Sequence, residues 1–452
     1  ALLSTFHCHT NLTMRGMIFG MKLRNLWLPT SLVAALLVSL GLSGMIWTNP
    51  AHSNLSSRTK VTKNADSNSN TTFQDIYLPS QIISTNAAGK QELLTNNRVN
   101  VATDLRNRMS HFTAEKAKSI SRGNSKTYLA QLKRKGTVLM NYNSAISVNF
   151  FRKAFNNQLK VPNQKFNRMQ FLLNDPNHLY LLNDQGYRIV RVTLKNNRSD
   201  KLRHVLADKM VKHQVTFKLL NGKVILNYPH NVKLRTYSYQ LSQQTQDYYA
   251  NRVMTTNSNS NVQIKRHKNS TDYDDHGFRH MTVDESTDTV NFTNYNAQIK
   301  SNSFLQTMNG IYEQLVMVGM PLDSVRFYSY DSGSDTAVFR TYAGGVPVFD
   351  QSDFGAIQMK VLDQSSYRMK FSLDSLQVPI PPVQSSATIM STNELIKQLE
   401  AAGTHESKIQ GIELGYEWVR DKSLPKVVDL SPTWYVKIGN QWENYRKLIG
   451  QQ

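Results

Sequence analysis

Val215-Thr-Phe-Lys-Leu-Leu-Asn-Gly-Lys-Val-Ile-Leu-Asn-Tyr228 places two strand-like runs on either side of Asn221-Gly222. Asn-Gly accepts positive φ at both central positions of a type I′ turn, whose twist matches that of paired strands, so the segment predicts a tight antiparallel hairpin. Upstream, His178-Leu-Tyr-Leu-Leu and Tyr187-Arg-Ile-Val-Arg-Val-Thr-Leu194 flank Asn183-Asp-Gln-Gly186 and predict a second hairpin, with Met169-Gln-Phe-Leu-Leu as a strand before it. Between the hairpins, Ser199 is a good N-cap for a helix whose Leu202, Val205, Leu206 and Met210 share one face. Hairpins punctuated by helices define the class as α+β.

The same reading extends in both directions. Towards the N-terminus, Asp75 to Ile83 suggests an edge strand interrupted by Pro79, and a helix is expected from Val101 to Ile120. Tyr128 to Leu132, Thr137 to Tyr142 and Ile146 to Phe150 add strand-like pieces, giving a first α/β domain over 72–163. A central domain over 164–299 holds the two hairpins, a polar stretch over 255–275 expected as a long exposed loop, and the strand pair Arg279 to Asp284 and Thr289 to Phe292. From 300 to 452 the pattern restarts. An amphipathic helix over Phe304 to Val318 precedes strands at Ser324 to Tyr330 and Thr336 to Tyr342. The Gly344-Gly345 turn, Val346 to Phe349 and Gly355 to Val361 follow. Ser391-Thr-Asn-Glu394 is a capping box stopped at Gly403, and Ile409 to Trp418 and Val427 to Ile438 are the closing strands.

Among 452 residues there is one cysteine, Cys8, so a disulfide framework and a Cys-based metal site are excluded beyond it. Leu26 to Trp47 is 22 residues without a charge, enough to cross a ~30 Å hydrocarbon layer as a helix. Lys22 and Arg24 precede it and Trp27 and Trp47 mark its ends, which predicts a transmembrane anchor with residues 1–25 as a short cytoplasmic segment. Arg58, Lys60 and Lys63 weaken that charge bias on the far side. A cleaved signal peptide is the rival, with Ala51-His-Ser53 as the cleavage site, but signal h-regions run only ~7–15 residues. Residues 1–20, ahead of Met21-Lys-Leu-Arg-Asn, read as upstream sequence translated in error. Residues 48–71, rich in Ser, Asn and Thr, read as a flexible tether.

Taking away Arg15, Lys22 and Arg24 leaves 50 basic against 32 acidic residues beyond the anchor, a formal +18. Outside a membrane this excess points to an anionic wall or lipid surface instead of nucleic acid, with plain solubility as the alternative. No G-x-S-x-G, H-E-x-x-H or Walker pattern occurs, and Ser57-Arg-Thr-Lys60 lies in the tether, where nothing holds a nucleophile in register. Asp272-Tyr-Asp-Asp275-His276-Gly-Phe-Arg-His280 gathers carboxylates and imidazoles, but Gly277 and its polar setting argue against a fixed metal geometry. No cofactor and no metal is expected.

Several segments together resemble the YycH family of low-GC Gram-positive bacteria. They are Ile46-Trp-Thr-Asn-Pro50 behind the anchor, Phe339-Arg-Thr-Tyr-Ala-Gly-Gly-Val-Pro-Val-Phe349, Val378-Pro-Ile-Pro-Pro382, Leu414-Gly-Tyr-Glu-Trp418 and Val427-Val-Asp-Leu-Ser-Pro-Thr-Trp-Tyr-Val436. The resemblance covers the anchor and roughly the last 150 residues. It implies three exported domains, the last two sharing topology with the companion protein YycI. It also implies a non-enzymatic regulator of the sensor histidine kinase YycG, also called WalK, with the kinase and a YycI-type protein as partners. Within the motifs, Gly344, Gly345, Pro347, Phe349, Gly415, Tyr416, Pro432, Trp434 and Tyr435 read as structural. An aromatic ligand cage of Trp434, Tyr416 and Trp418 is the competing use of those rings. Ser31, Ala35, Ser39 and Ser43 recur every four residues of the anchor, a stripe drifting ~40° per step that suits close approach of another helix. Two other functions stay open from residues alone: a binder of anionic wall polymer and an anchored wall hydrolase.

Overall fold

The Asn221-Gly222 hairpin is present, with Leu220 opposite Lys223 and φ of 49° and 74° at the two turn residues. The computed structural model describes residues 71–450 apart from 96–100, 196–209, 255–261, 300–301, 350, 353, 383–384 and 422. The anchor over 26–47, its small-residue stripe, the tether up to 70 and, but for Met210, the helix expected from Ser199 lie outside the described residues. Among those described, no helix is long and apolar enough to cross a membrane.

The hairpin forms the margin of a nine-stranded antiparallel sheet. Its order is Thr113–Ser121, Arg188–Lys195, His178–Asn183, Lys165–Leu172, Thr137–Ser147, Gln81–Thr85, Gln91–Thr95, Val211–Leu220, Lys223–Asn227. A second nine-stranded sheet runs Gln263–Arg266, Ser270–Asp274, Arg279–Asp284, Thr289–Asn294, Tyr367–Ser372, Ile357–Val361, Thr336–Ala343, Val325–Asp331, with Val346–Pro347 paired to Thr336–Ala343. A third, C-terminal sheet orders Asp374–Ile380, Tyr237–Gln243, Val427–Ile438 and Ile409–Arg420, with Gln441–Asn444 on Val427–Ile438. The protein is thus mixed α/β and mostly sheet, with eight helices among the described residues.

One apolar cluster joins the facing sides of the two large sheets: Met140, Phe171 and Val190 from the first, Phe292, Phe339 and Met369 from the second. Helices Phe73–Ile76, Val101–Met109, Val148–Phe155 and Phe304–Val318 add Phe73, Leu105, Phe150 and Leu315 to it. Each large side chain buried this way stabilises the fold by roughly 1.5–3 kcal/mol. The opposite side of the first sheet, through Ile83, Leu139 and Phe217, packs on Leu132, Leu399, Leu414 and Trp434. The first sheet is therefore covered on both sides, once by the second sheet and once by the C-terminal one.

Several local expectations are corrected by pairing and capping. Gln81–Thr85 is an inner strand, not an edge, and Phe73–Ile76 before it is a helix whose Asp75 accepts from the Thr72 N–H (3.1 Å) and hydroxyl (2.6 Å). The helix expected to Ile120 stops at Met109. Its buried positions Val101, Ala102, Leu105 and Met109 end there, and Thr113–Ser121 pairs with Arg188–Lys195 instead. Tyr128 to Leu132 is helical, because the Asn124 side chain accepts from the Thr127 N–H and Tyr128 and Leu132 bury one face. The long loop expected over 255–275 contains strands Gln263–Arg266 and Ser270–Asp274. Thr271 and Tyr273, hidden in a polar composition, point inwards when paired with Arg279–Asp284.

The divisions expected at 163/164 and 299/300 run through sheets. Thr137–Ser147 pairs with Lys165–Leu172, Thr289–Asn294 pairs with Tyr367–Ser372, and Tyr237–Gln243 lies between Asp374–Ile380 and Val427–Ile438. A helix-and-hairpin rhythm repeats in the sequence without telling which strands will share hydrogen bonds.

Candidate functional site

Strand Ile409–Arg420 contains Gly411-Ile-Glu-Leu-Gly-Tyr-Glu417, in which alternate side chains take opposite faces. Ile412, Leu414 and Tyr416 turn into apolar clusters, leaving Gly411, Glu413 and Gly415 together on the other face. The glycines shape a recess around the carboxylate. A Cβ on Gly415 would lie 2.4 Å from Phe349 Cδ2, and one on Gly411 would lie 3.2 Å from Trp442 Cη2. Both rings therefore close directly onto the strand on either side of Glu413. Phe349 stacks on Tyr435 with centroids 4.1 Å apart, and Trp442 meets Phe349 edge-on at 5.4 Å.

Glu413 is 9% exposed and joins three sheets. Its Oε2 accepts from the Tyr328 hydroxyl of the second sheet at 2.5 Å, and its carboxylate accepts from the Asn143 amide of the first sheet at 3.3 and 3.5 Å. Arg340 spends its charge elsewhere. The guanidinium lies over the rings of Phe349 (4.0 Å) and Tyr328 (4.6 Å) and donates to the Phe349 carbonyl at 3.1 Å. Burial raises the Glu413 pKa above the ordinary carboxylate range, against the opposing pull of the Tyr328 hydrogen bond, Arg340 and Asn143. Burial, with Glu413 adding to it, also pushes Tyr328 well above the usual phenol value.

Across a cavity of about 310 Å³ stands a different arrangement. Arg168, 5% exposed, donates from Nε and Nη2 to the two oxygens of Asp184 at 3.0 and 2.8 Å, and from Nη1 to Asn141 at 2.6 Å. Tyr128 donates to the same Asp184 at 2.7 Å, and Arg168 lies 5.0 Å over the ring of Phe217. Burial works against the Arg168 charge, but Asp184 outweighs it and the net direction is upward. Between the two arrangements, the cavity is lined by Gln81, Lys223, Gln410, Lys437 and Trp442, among others.

The motif residues named from sequence all sit close to this region or in the core beneath it. Gly344 and Gly345, at φ 56° and 85°, turn Thr336–Ala343 back into Val346–Pro347, and Pro347 lies opposite Tyr342. Phe349 then donates its N–H to the Tyr416 carbonyl at 3.0 Å, locking the second sheet to the third. That carbonyl points away from Pro432, its neighbour across the ladder, so the missing proline donor leaves no ladder bond unmade. Trp434 is fully buried, donates its indole N–H to Met390 O at 3.0 Å and meets Tyr228 edge-on. Tyr416, 2% exposed, donates to Arg235 O at 2.7 Å. With Trp434 and Tyr416 buried, these rings enclose no open cage.

The carboxylates around Asp272 to His280 are occupied locally. Asp275 Oδ1 accepts from the N–H groups of Gly277 and Arg279, Asp274 from that of His276, and Asp272 from Thr282 and His267. No group of three His, Cys, Asp or Glu among the described residues could hold a metal ion. Reading the sequence missed Glu413, Asn143, Tyr328, Arg168 and Trp442. The one legible signal was a glutamate set between two glycines at alternate positions of an otherwise apolar strand.

Residues 230–451 match the family model described as YycH protein, C-terminal domain. The match begins just after the first sheet ends at Asn227 and contains the second and third sheets entirely. In fold the chain is similar to the crystal structure of YycH from Bacillus subtilis, with a TM-score of 0.66 over 83% of this chain and 97% of that one, at 16% identity. No curated protein sequence matches the chain.

Proposed function

The chain belongs to the YycH family, and on that premise we propose that it is a non-enzymatic regulatory protein of a YycG/WalK-type two-component system, acting with a YycI-type partner on the sensor histidine kinase. The observation that carries this reading is the family match over 230–451, the part of the chain that contains the second and third sheets entirely. The packing of the motif residues supports it: Phe349, Tyr416, Trp434 and Tyr435 serve as buried joints between sheets, not as reactive groups. In this reading the Leu26 to Trp47 segment is a retained anchor with its N-terminus in the cytoplasm, and the folded part stands outside the membrane. The stripe of Ser31, Ala35, Ser39 and Ser43 is the contact for a membrane helix of the kinase or of the YycI-type protein, where each hydroxyl bond contributes about 0.6 kcal/mol.

The test is co-purification of the full-length chain with the kinase from membranes, alongside expression of the kinase's target genes. Ala35→Leu with Ser39→Leu should leave insertion and export intact yet weaken association and alter target-gene expression. If that double variant associates and regulates normally while deletion of 72–452 abolishes both, the contact lies in the folded part. Failure of the unaltered full-length chain to associate, together with unchanged expression when it is deleted, would overturn the regulatory reading itself.

A further inference from the structure

The cavity in front of Glu413 plays no part in the regulatory reading, yet it has the features of a built site. It measures about 310 Å³, at the small end of the ~300–1,000 Å³ usual for ligand clefts, and strands of the first, second and third sheets form its walls. Its charges do not cancel. Arg168 and Asp184 neutralise one another, which leaves Lys223 and Lys437 against the single carboxylate of Glu413. The side chains of Lys223 and Gln410 make no hydrogen bond or ion pair with the described residues. Gln81 accepts from Asn141 through Oε1, leaving its amide N–H groups unused, and the Trp442 indole N–H is likewise unengaged among the described residues. The Lys437 ammonium attracts Asp331 through space, and its side chain makes no hydrogen bond or ion pair with the described residues.

We propose that this cleft binds a small phosphorylated polyol. Two lysines with no carboxylate bonded to them match a doubly charged phosphate monoester better than a single carboxylate. The amides of Gln81 and Gln410 each bring donors and acceptors suited to hydroxyl groups, and Trp442 offers an apolar ring edge to a carbon chain. Glu413 forms the floor, held by Tyr328 and Asn143 and so not free to pair with either lysine. Because the same carboxylate ties the three sheets together, a ligand seated against it touches the point where their packing converges.

The experiment is isothermal titration calorimetry on the full-length chain in detergent micelles, using sn-glycerol 3-phosphate, glycerol and inorganic phosphate in separate titrations. Glycerol 3-phosphate should bind saturably and about tenfold or more tighter than either fragment. Lys223→Gln with Lys437→Gln should weaken it about tenfold or more with an unchanged thermal midpoint. Lys223→Gln alone, at an exposed hairpin position, carries the same test should the double variant lose its fold. Three results would overturn the proposal: no saturable heat, inorganic phosphate binding as tightly as glycerol 3-phosphate, or unchanged affinity in the folded lysine variants.

Discussion

The two arrangements that face each other across the cavity bury charge to a similar depth and compensate it in opposite ways. Arg168 has a carboxylate on both forks of its guanidinium, an amide on its third nitrogen and an aromatic ring beneath it. Glu413 has only a phenol and an amide as hydrogen-bond donors, while Arg340, which acts on it through space, is turned onto two rings. A compensated charge is a fixed part of the scaffold, since removing one partner strands the other. An uncompensated one costs desolvation continuously and is the group that protonation or a ligand will move.

The largest effect should follow from breaking the compensated side. Arg168→Met leaves Asp184 and Tyr128 without their cation and should cost about 3–5 kcal/mol in urea unfolding. A loss below ~1 kcal/mol would mean that solvent reaching Asp184 already carries the compensation.

Next comes Asp374, an intermediate case in which one carboxylate meets Arg420 while Asp288 stands on the same arginine. Burial first, and Asp288 after it, push the Asp374 pKa up to about 6 against the pull of Arg420. A raised acid pKa means the folded state holds its proton longer than the unfolded state. The contribution is therefore fully present below the ordinary value of 3.8 and lost as pH climbs through about 6. Measured against Asp374→Asn, the wild type should lose up to roughly 3 kcal/mol of relative stability between about pH 4 and pH 6. A flat difference across that window would place Asp374 with the compensated charges.

Gly415→Ala tests the recess itself. Its new methyl meets the Phe349 ring at 2.4 Å and Tyr435 at 3.0 Å, so the stack must open, at a cost of about 1–3 kcal/mol. Gly411→Ala should cost less, because its nearest obstacle is the rim of Trp442 at 3.2 Å. Equal losses at the two glycines would remove the distinction between the stacked and the edge-on ring.

The smallest effect is expected from Glu413→Gln, which keeps an acceptor for Tyr328 and discards the charge. At pH 7 it should lie within ~1 kcal/mol of wild type or be more stable. The wild type should gain on it as pH falls below the raised Glu413 pKa, the sign for an acid whose folded pKa lies above its unfolded one. Should Glu413→Gln prove as damaging as Arg168→Met, Arg340 would be neutralising Glu413 through the rings and the contrast would fall.

Much of the local structure was legible because its causes are local. Ser303 and Ser391 cap their helices by accepting from N–H groups three residues on, and the Phe304–Val318 helix has the bounds its apolar face implied. Where the reading failed, a second strand supplied what the local pattern lacked. Thr113–Ser121 carries little apolar signal and is a strand through its pairing with Arg188–Lys195, just as Ser270–Asp274 is through Arg279–Asp284. The motifs were legible as family features and as packing aromatics, but their grouping around Glu413 was not.

By itself, then, the sequence determined the hairpin at Asn221-Gly222, the helix caps, the alternation that turns Gly411, Glu413 and Gly415 to one face, and the class of the fold. Turn chemistry, capping and strand period act within a few residues and are present in any chain that contains them. Only the tertiary structure decided that Glu413 would meet an amide 270 residues away and a phenol 85 residues away, inside a recess roofed by Phe349 and Trp442. Those partners sit on three different sheets, and whether a buried carboxylate finds a cation or only neutral donors depends on how finished sheets pack, a term with no counterpart in local sequence.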